Sequence, residues 1–144
     1  MNVVHPFHRI KPQSVQAVKN FTAEQLNAAA ASLGDRFVHV QFAAREPVPG
    51  GRSVLKTEVL QTIGRALDFP GHYGANLDAL YDALLDMGEG LGKAAGGFVI
   101  LLDRIPIGAG FDADARESLL ETFRDAADSL AEGDHAFRVF YSFA

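Results

Sequence analysis

The fold is decided by residues 69–86, which read FPGHYGANLDALYDALLD. The proline and glycines at its start predict a sharp reversal of the chain, because proline fixes φ and glycine tolerates positive φ. Asn76 follows as a helix N-cap, since its side-chain oxygen can accept a hydrogen bond from an N–H of the first turn. Apolar residues then recur at steps of three and four, namely Leu77, Leu80, Tyr81 and Leu84. The stretch therefore predicts a tight turn that leads into an amphipathic helix.

A row of aspartates occupies a second face of this helix. Asp78, Asp82 and Asp86 are four residues apart, and like charges at that spacing oppose the helix by about 0.2–0.5 kcal/mol per pair. No Lys or Arg occurs between Arg65 and Lys93 to relieve the repulsion. Asp78 suits the positive end of the helix dipole, whereas the other two lie too deep in the helix for that effect. The row is either a solvated acidic face or a set of carboxylates for a cationic partner.

The run from residue 69 to 84 resembles the signature of the barstar family, the intracellular protein inhibitors of small secreted bacterial ribonucleases. The shared pattern is long and ungapped: proline, two variable positions, Tyr-Gly, any residue, Asn-Leu-Asp-Ala-Leu, an aromatic residue and Asp. Residues 117–126, ESLLETFRDA, are similar to the later helix of the family. We therefore divide the chain into an N-terminal extension with one helix (1–34) and a barstar-like domain (35–144).

The resemblance implies that the protein mimics RNA. A ribonuclease holds RNA phosphates with Arg, Lys and His, and in this family a helix of carboxylates enters that basic site. Carried over residue by residue, Asp82 takes the place of a phosphate and Asp78 supplies a second charge. His72 and Asn76 would contact the enzyme ahead of the helix, and Asp125 would contact it from the later helix. The expected partner is a small basic ribonuclease, and the protein is expected to be a cytoplasmic immunity protein that is monomeric when free.

The loop before the helix departs from the family pattern. His72 stands where the family commonly has Tyr, and the small residues Gly71 and Ala75 replace positions that are often acidic. Since histidine titrates near neutrality, binding through His72 would depend on pH. These departures concern which ribonuclease is the target. Tyr73 and Tyr81 are expected to pack against the core.

The rest of the sequence predicts strands separated by helices. Phe37–Phe42 alternates large apolar and polar residues, and Phe98–Asp103 is nearly continuously apolar, as in a central strand covered on both faces. Phe137–Phe143 is the last predicted strand. Helical segments between strands favour parallel pairing through right-handed crossovers. We therefore predict a small α/β layer fold with a three-stranded parallel sheet flanked by helices.

Further helices are predicted in three places. Thr22 to Gln25 resembles a capping box, which begins an alanine-rich helix that Gly34 ends. This segment either covers an edge or a face of the core, which we favour, or serves as an interaction arm. Ser53 is predicted to cap a second helix. The third, over residues 112–132, carries an acidic stripe of Glu117, Glu121, Asp125, Asp128 and Glu132.

Composition and motifs argue against other functions. The net charge of −5 disfavours nucleic acid as a direct partner, no apolar run reaches membrane-spanning length, and the start lacks the apolar core of a secretory signal. The five histidines show no metal-ligand spacing, and there is no phosphate loop, nucleophile elbow or cysteine. We therefore expect no enzymatic activity, metal or cofactor. The alternative is a barstar-like interaction module that regulates a different basic protein.

Overall fold

The computed structural model describes residues 5–42, 56–71, 73–89, 96–108, 110–133 and 136–144. Within these residues the chain forms a mixed α/β fold in which helices flank a parallel sheet. In chain order the elements are β1 (Gln13–Ala17), α1 (Ala23–Leu33), β2 (Arg36–Gln41), α2 (Lys56–Ala66), α3 (Leu77–Glu89), β3 (Phe98–Ile105), α4 (Ala113–Leu130) and β4 (Phe137–Phe143). No helix in the described ranges has both the length and the apolar character needed to cross a bilayer.

The sheet has four parallel strands in the order β1-β4-β3-β2, so the prediction of three strands is wrong. The additional strand is β1, which pairs with β4 from Gln13 opposite Phe137 to Ala17 opposite Tyr141. Its sequence, QSVQA, contains one large apolar residue, so neither alternation nor an apolar run identifies it. Because its side chains contribute little to the core, this edge strand is held mainly by its backbone hydrogen bonds to β4.

The direction of the chain across the sheet explains where the helices lie. The chain crosses from β1 at one edge to β2 at the other, and then returns through β3 to β4. Because parallel crossovers are right-handed, connections that travel in opposite directions place their helices on opposite faces. Accordingly, α2, α3 and α4 pack with Ile100 and Val139, whereas α1 packs with Val99 and Phe140. The central strand β3 is covered on both faces, as predicted.

The ends of the elements follow the sequence closely. Thr22 and Gln25 form the predicted capping box of α1, and Gly34 ends that helix in the left-handed conformation with φ 73°. Helix α3 continues through Gly88 to Glu89, past Asp86, the last residue of the stretch that predicts it. Ser53, the predicted cap of α2, lies outside the described residues.

Residues 5–34 are anchored to the rest of the fold at one edge of the sheet and on one of its faces. Strand β1 adds to β4, and α1 packs with Phe7 on the second face of the sheet. Beside Phe7, Asp35 Oδ2 lies 3.2 Å from the Arg138 guanidinium in a buried ion pair, with the two side chains 5% and 10% exposed. Asp35 also accepts the Gly97 N–H at 2.7 Å. The N-terminal segment therefore covers the core, as the favoured interpretation predicts.

Candidate functional site

The chain enters α3 through a tight turn. The Tyr73 N–H donates to the Pro70 carbonyl at 2.9 Å, which closes the predicted reversal. Asn76 then caps the helix, because its Oδ1 accepts the Ala79 N–H at 2.8 Å. The N-cap predicted from the sequence is therefore confirmed. His72 lies outside the described residues, so its role at this site stays a prediction.

Tyr73 fixes the turn to the core. Its ring lies so close to Gly64 of α2 that a Cβ on that glycine would be 2.7 Å from two ring carbons. The ring also meets Phe69 edge-on, with 5.1 Å between centroids. Burial raises the pKa of Tyr73 to about 12, and its hydroxyl has no hydrogen-bond partner among the described residues. Tyr73 is thus a packing residue, as predicted, and it gives α3 a fixed starting point.

Helix α3 has a buried face and an acidic face. Leu80 and Leu84 are fully buried in the core, whereas Asp78, Asp82 and Asp86 are exposed. Across the described ranges, no Lys or Arg forms an ion pair with any of these three aspartates. Among the described residues, no ion pair therefore relieves the repulsion expected from their four-residue spacing.

The acidic face borders a groove of about 710 Å³ between α3 and α4, which we call the acidic groove. Its lining residues are Leu77, Asp78, Tyr81 and Asp82 from α3, and Thr122, Asp125, Asp128 and Ser129 from α4. The structure thus brings together three of the predicted site residues, Asp78, Asp82 and Asp125. Asn76 lies at the N-cap immediately before α3 and is exposed, but it does not line the groove.

The acidic stripe of α4 separates into two parts. Arg124 donates to Glu117 at 2.7 Å and lies 3.7 Å from Glu121, so these acids have a cation close by. The hydrogen bond to Glu117 is the main cause that raises the pKa of Arg124. Asp125 and Asp128 have no such cation in the described part of the chain, and both line the acidic groove. Sequence reasoning placed Asp128 in the acidic stripe but named only Asp125 as a binding residue. The position of Arg124 three residues after Glu121 was a signal that could have set Glu121 apart.

Tyr81 joins the two walls of the groove. Its ring packs against the core and is partly buried, as the sequence predicted. Its hydroxyl lies 2.7 Å from Ser129 Oγ on α4, a distance typical of a hydrogen bond between hydroxyl groups. Tyr81 therefore supports α3 from the core side and also links it to α4.

A second groove, of about 490 Å³, lies on another side of α3. Its lining includes the carboxylates of Asp82 and Asp86, the apolar side chains of Phe69, Tyr73 and Met87, and Arg36 from β2. Asp82 is common to both grooves. The helix therefore presents Asp82 on a ridge that a partner could contact from two sides.

The charge of the acidic groove determines what it can bind. Four aspartates line it, and none of them has an ion-pair partner among the described residues. Carboxylates form strong, often bidentate hydrogen bonds with guanidinium groups. In the same ranges, no group of three or more His, Asp or Glu side chains is arranged to hold a metal ion. The arrangement suits a protein surface rich in Arg and Lys.

Comparison with known proteins matches residues 48–142 to a family model described as Barstar (barnase inhibitor). The match covers α2, α3, β3, α4 and nearly all of β4, whereas β1, α1 and β2 precede it. A search of curated proteins gives no match. Both walls of the acidic groove lie within the matched region.

Proposed function

Because the chain belongs to the barstar family, we propose that it inhibits a barnase-like ribonuclease by filling the basic active site of that enzyme with the carboxylates of its acidic groove. The observation that carries this proposal is the set of four aspartates on α3 and α4 that no Lys or Arg of the described residues neutralises. An enzyme that holds an RNA backbone presents cations at phosphate spacing, and these carboxylates would replace the phosphates.

Asp82 is the central residue of this proposal. It is exposed, it lies beyond the first turn of α3, and it borders both grooves. It can therefore accept hydrogen bonds from Arg or Lys side chains that approach from either side of the helix. Asp78 would supply the second charge from α3, and Asp125 with Asp128 would contact the rim of the enzyme from α4.

Asn76 fits a role at the edge of the same interface. Its Oδ1 is occupied by the cap, so the side-chain NH₂ group is left to donate to a partner. His72, four residues earlier in the chain, would contact the enzyme from the turn. Because the cap fixes Asn76 and core packing fixes Tyr73 before binding, the partner would not have to order these two residues, which favours affinity.

The proposal is tested by mixing the purified protein with a catalytically inactive barnase-like ribonuclease from the same cell. We expect a stoichiometric complex by calorimetry that weakens as salt is added, because the attraction between exposed charges is screened. The variant Asp82→Asn should bind much more weakly than Glu24→Gln, which removes the same charge from an exposed position of α1 on the other face of the sheet. Equal affinities for the two variants would refute the assignment of the acidic groove.

A second candidate function is regulation of a basic protein that is not a ribonuclease. The second groove favours it, because Asp86 and the apolar walls extend the binding surface beyond the acidic groove. A pull-down that uses the wild type and the double variant Asp78→Asn/Asp82→Asn as baits distinguishes the two candidate functions. A basic protein without ribonuclease activity that only the wild type retains would support the second candidate.

A further inference from the structure

The carboxylates of the acidic groove belong to two different helices, so their spacing depends on how α3 sits against α4. One hydrogen bond between side chains joins these helices in the described ranges, the bond between the hydroxyls of Tyr81 and Ser129. Each of its residues is the immediate neighbour of a groove aspartate, since Tyr81 precedes Asp82 and Ser129 follows Asp128. The bond therefore ties together the backbone positions that carry two of the four charges.

A second contact between the helices lies further along α3. A Cβ on Gly88 would be 2.5 Å from Leu130 Cδ2, so the two helices touch closely at this point. Gly88 is seven residues after Tyr81, which is about 10 Å along the helix axis. Leu80 and Leu84, which lie beside and between these two points, are buried and hold α3 on the core. The hydroxyl bond adds a specific link to α4 beside the groove aspartates.

The repulsion between the groove aspartates explains why a hydrogen bond between Tyr81 and Ser129 would matter. Asp78 and Asp82 on one wall repel Asp125 and Asp128 on the other, and no cation of the described residues lies between them. The repulsion pushes the walls apart in the absence of a partner. A link across the groove opposes this opening and keeps the carboxylates where a compact cationic site can engage both pairs at once.

We infer that Tyr81 and Ser129 are positioning residues, whose hydrogen bond holds the aspartates of α3 and α4 at the spacing that the basic partner recognises. This inference rests on the proposed function and adds to it the part of the site that fixes its geometry. The bond is exposed to water in the free protein, so it contributes little to stability. It becomes more important when a bound partner excludes water from the groove.

The test uses Tyr81→Phe, Ser129→Ala and the double variant, which remove hydroxyls and keep the ring and the helix. Affinity for the catalytically inactive barnase-like ribonuclease should fall about 3- to 10-fold in each single variant, and no further in the double variant, because both lose the same bond. Ser129→Thr should restore affinity, since it keeps a hydroxyl. Unfolding midpoints in urea should change little. Tyr141→Phe and Ser118→Ala are the matched controls outside the groove.

A measurement without a partner separates this inference from the proposed function. The chain has no cysteine, so spin labels can be placed at Asp86→Cys and Asp114→Cys on the two helices. Electron–electron distance measurements should give a broader or longer distribution in the Tyr81→Phe background than in the wild type. An unchanged distribution, or single-variant losses of affinity that add in the double variant, would overturn the positioning role. A wild type that binds no ribonuclease while the distribution still broadens would overturn only the proposed function.

Discussion

Asp82→Asn should make the protein more stable while it makes binding weaker. Asp82 lies four residues from both Asp78 and Asp86, so the substitution removes two repulsive pairs on α3. At about 0.2–0.5 kcal/mol per pair, the free energy of unfolding should rise by about 0.4–1 kcal/mol at low salt. Asp and Asn have similar helix propensities, so little of this gain is lost elsewhere. For a domain of this size, Tm should rise by roughly 1–4 °C.

The effect on binding has the opposite sign and is larger. If Asp82 meets an Arg or Lys in a desolvated interface, its neutralisation leaves that cation without a partner, which costs about 3–5 kcal/mol. Affinity for the ribonuclease should therefore fall by at least about 100-fold. A residue kept only for solubility would show the same gain in stability but no loss of affinity. The combination of a small gain in stability and a large loss of affinity identifies a side chain that serves recognition.

Urea unfolding at low salt and in about 1 M NaCl measures the first effect, because the Debye length in concentrated salt falls to about 3 Å. The gain of Asp82→Asn should nearly vanish in high salt. Asp78→Asn is the contrasting variant, since it loses the favourable helix dipole together with one repulsive pair and should change stability little. The prediction is refuted if Asp82→Asn is no more stable than the wild type at low salt, or if its gain in the free energy of unfolding does not depend on salt. Either result would mean that the aspartates of α3 do not repel one another as proposed.

Three further predictions concern the rest of the fold. Because the neutral Tyr73 phenol of the folded state keeps its proton to about pH 12, against 10.0 for an ordinary tyrosine, its contribution to stability is complete below pH 10 and is lost as pH rises towards 12. Phenolate absorbance should show this late step in the wild type and lose it in Tyr73→Phe. Asp35→Asn should lower the free energy of unfolding in urea by about 3 kcal/mol, because Arg138 stays buried without its partner; a loss no larger than that of exposed Asp114→Asn would contradict this. A chain without residues 1–34 should bind a hydrophobic dye and aggregate, since it exposes one face of the sheet, whereas a well-folded monomer would show that the face needs no cover.

The sequence predicts the elements whose residues act locally. The cap at Asn76, the capping box of α1 and the apolar run of β3 each need only their own side chains, and each lies where predicted. Strand β1 depends instead on backbone hydrogen bonds to a strand more than a hundred residues away in the chain, for which QSVQA carries no signal. Edge strands with few apolar residues are for this reason the elements that pattern analysis misses most readily.

The distinction between features set by local sequence and features set by tertiary packing also applies to the acidic groove. The spacing of Asp78 and Asp82 on one helix shows that they share a face, but it cannot show which face of another helix lies beside them. That depends on the packing of α3 against α4, including the approach that Gly88 permits. Asp128 therefore lines the groove because of tertiary packing, whereas Glu121 is not in its lining and lies 3.7 Å from Arg124.

The position of α1 bears on whether the N-terminal segment takes part in recognition. The reversal of direction between β1 and β2 places α1 on the face of the sheet opposite α3 and α4. None of the described residues 5–34 lines the acidic groove or the second groove. A partner seated on the groove would thus have the whole thickness of the sheet between itself and α1. If α1 also binds a partner, it does so through a surface separate from the acidic groove, and both partners could then be bound at once.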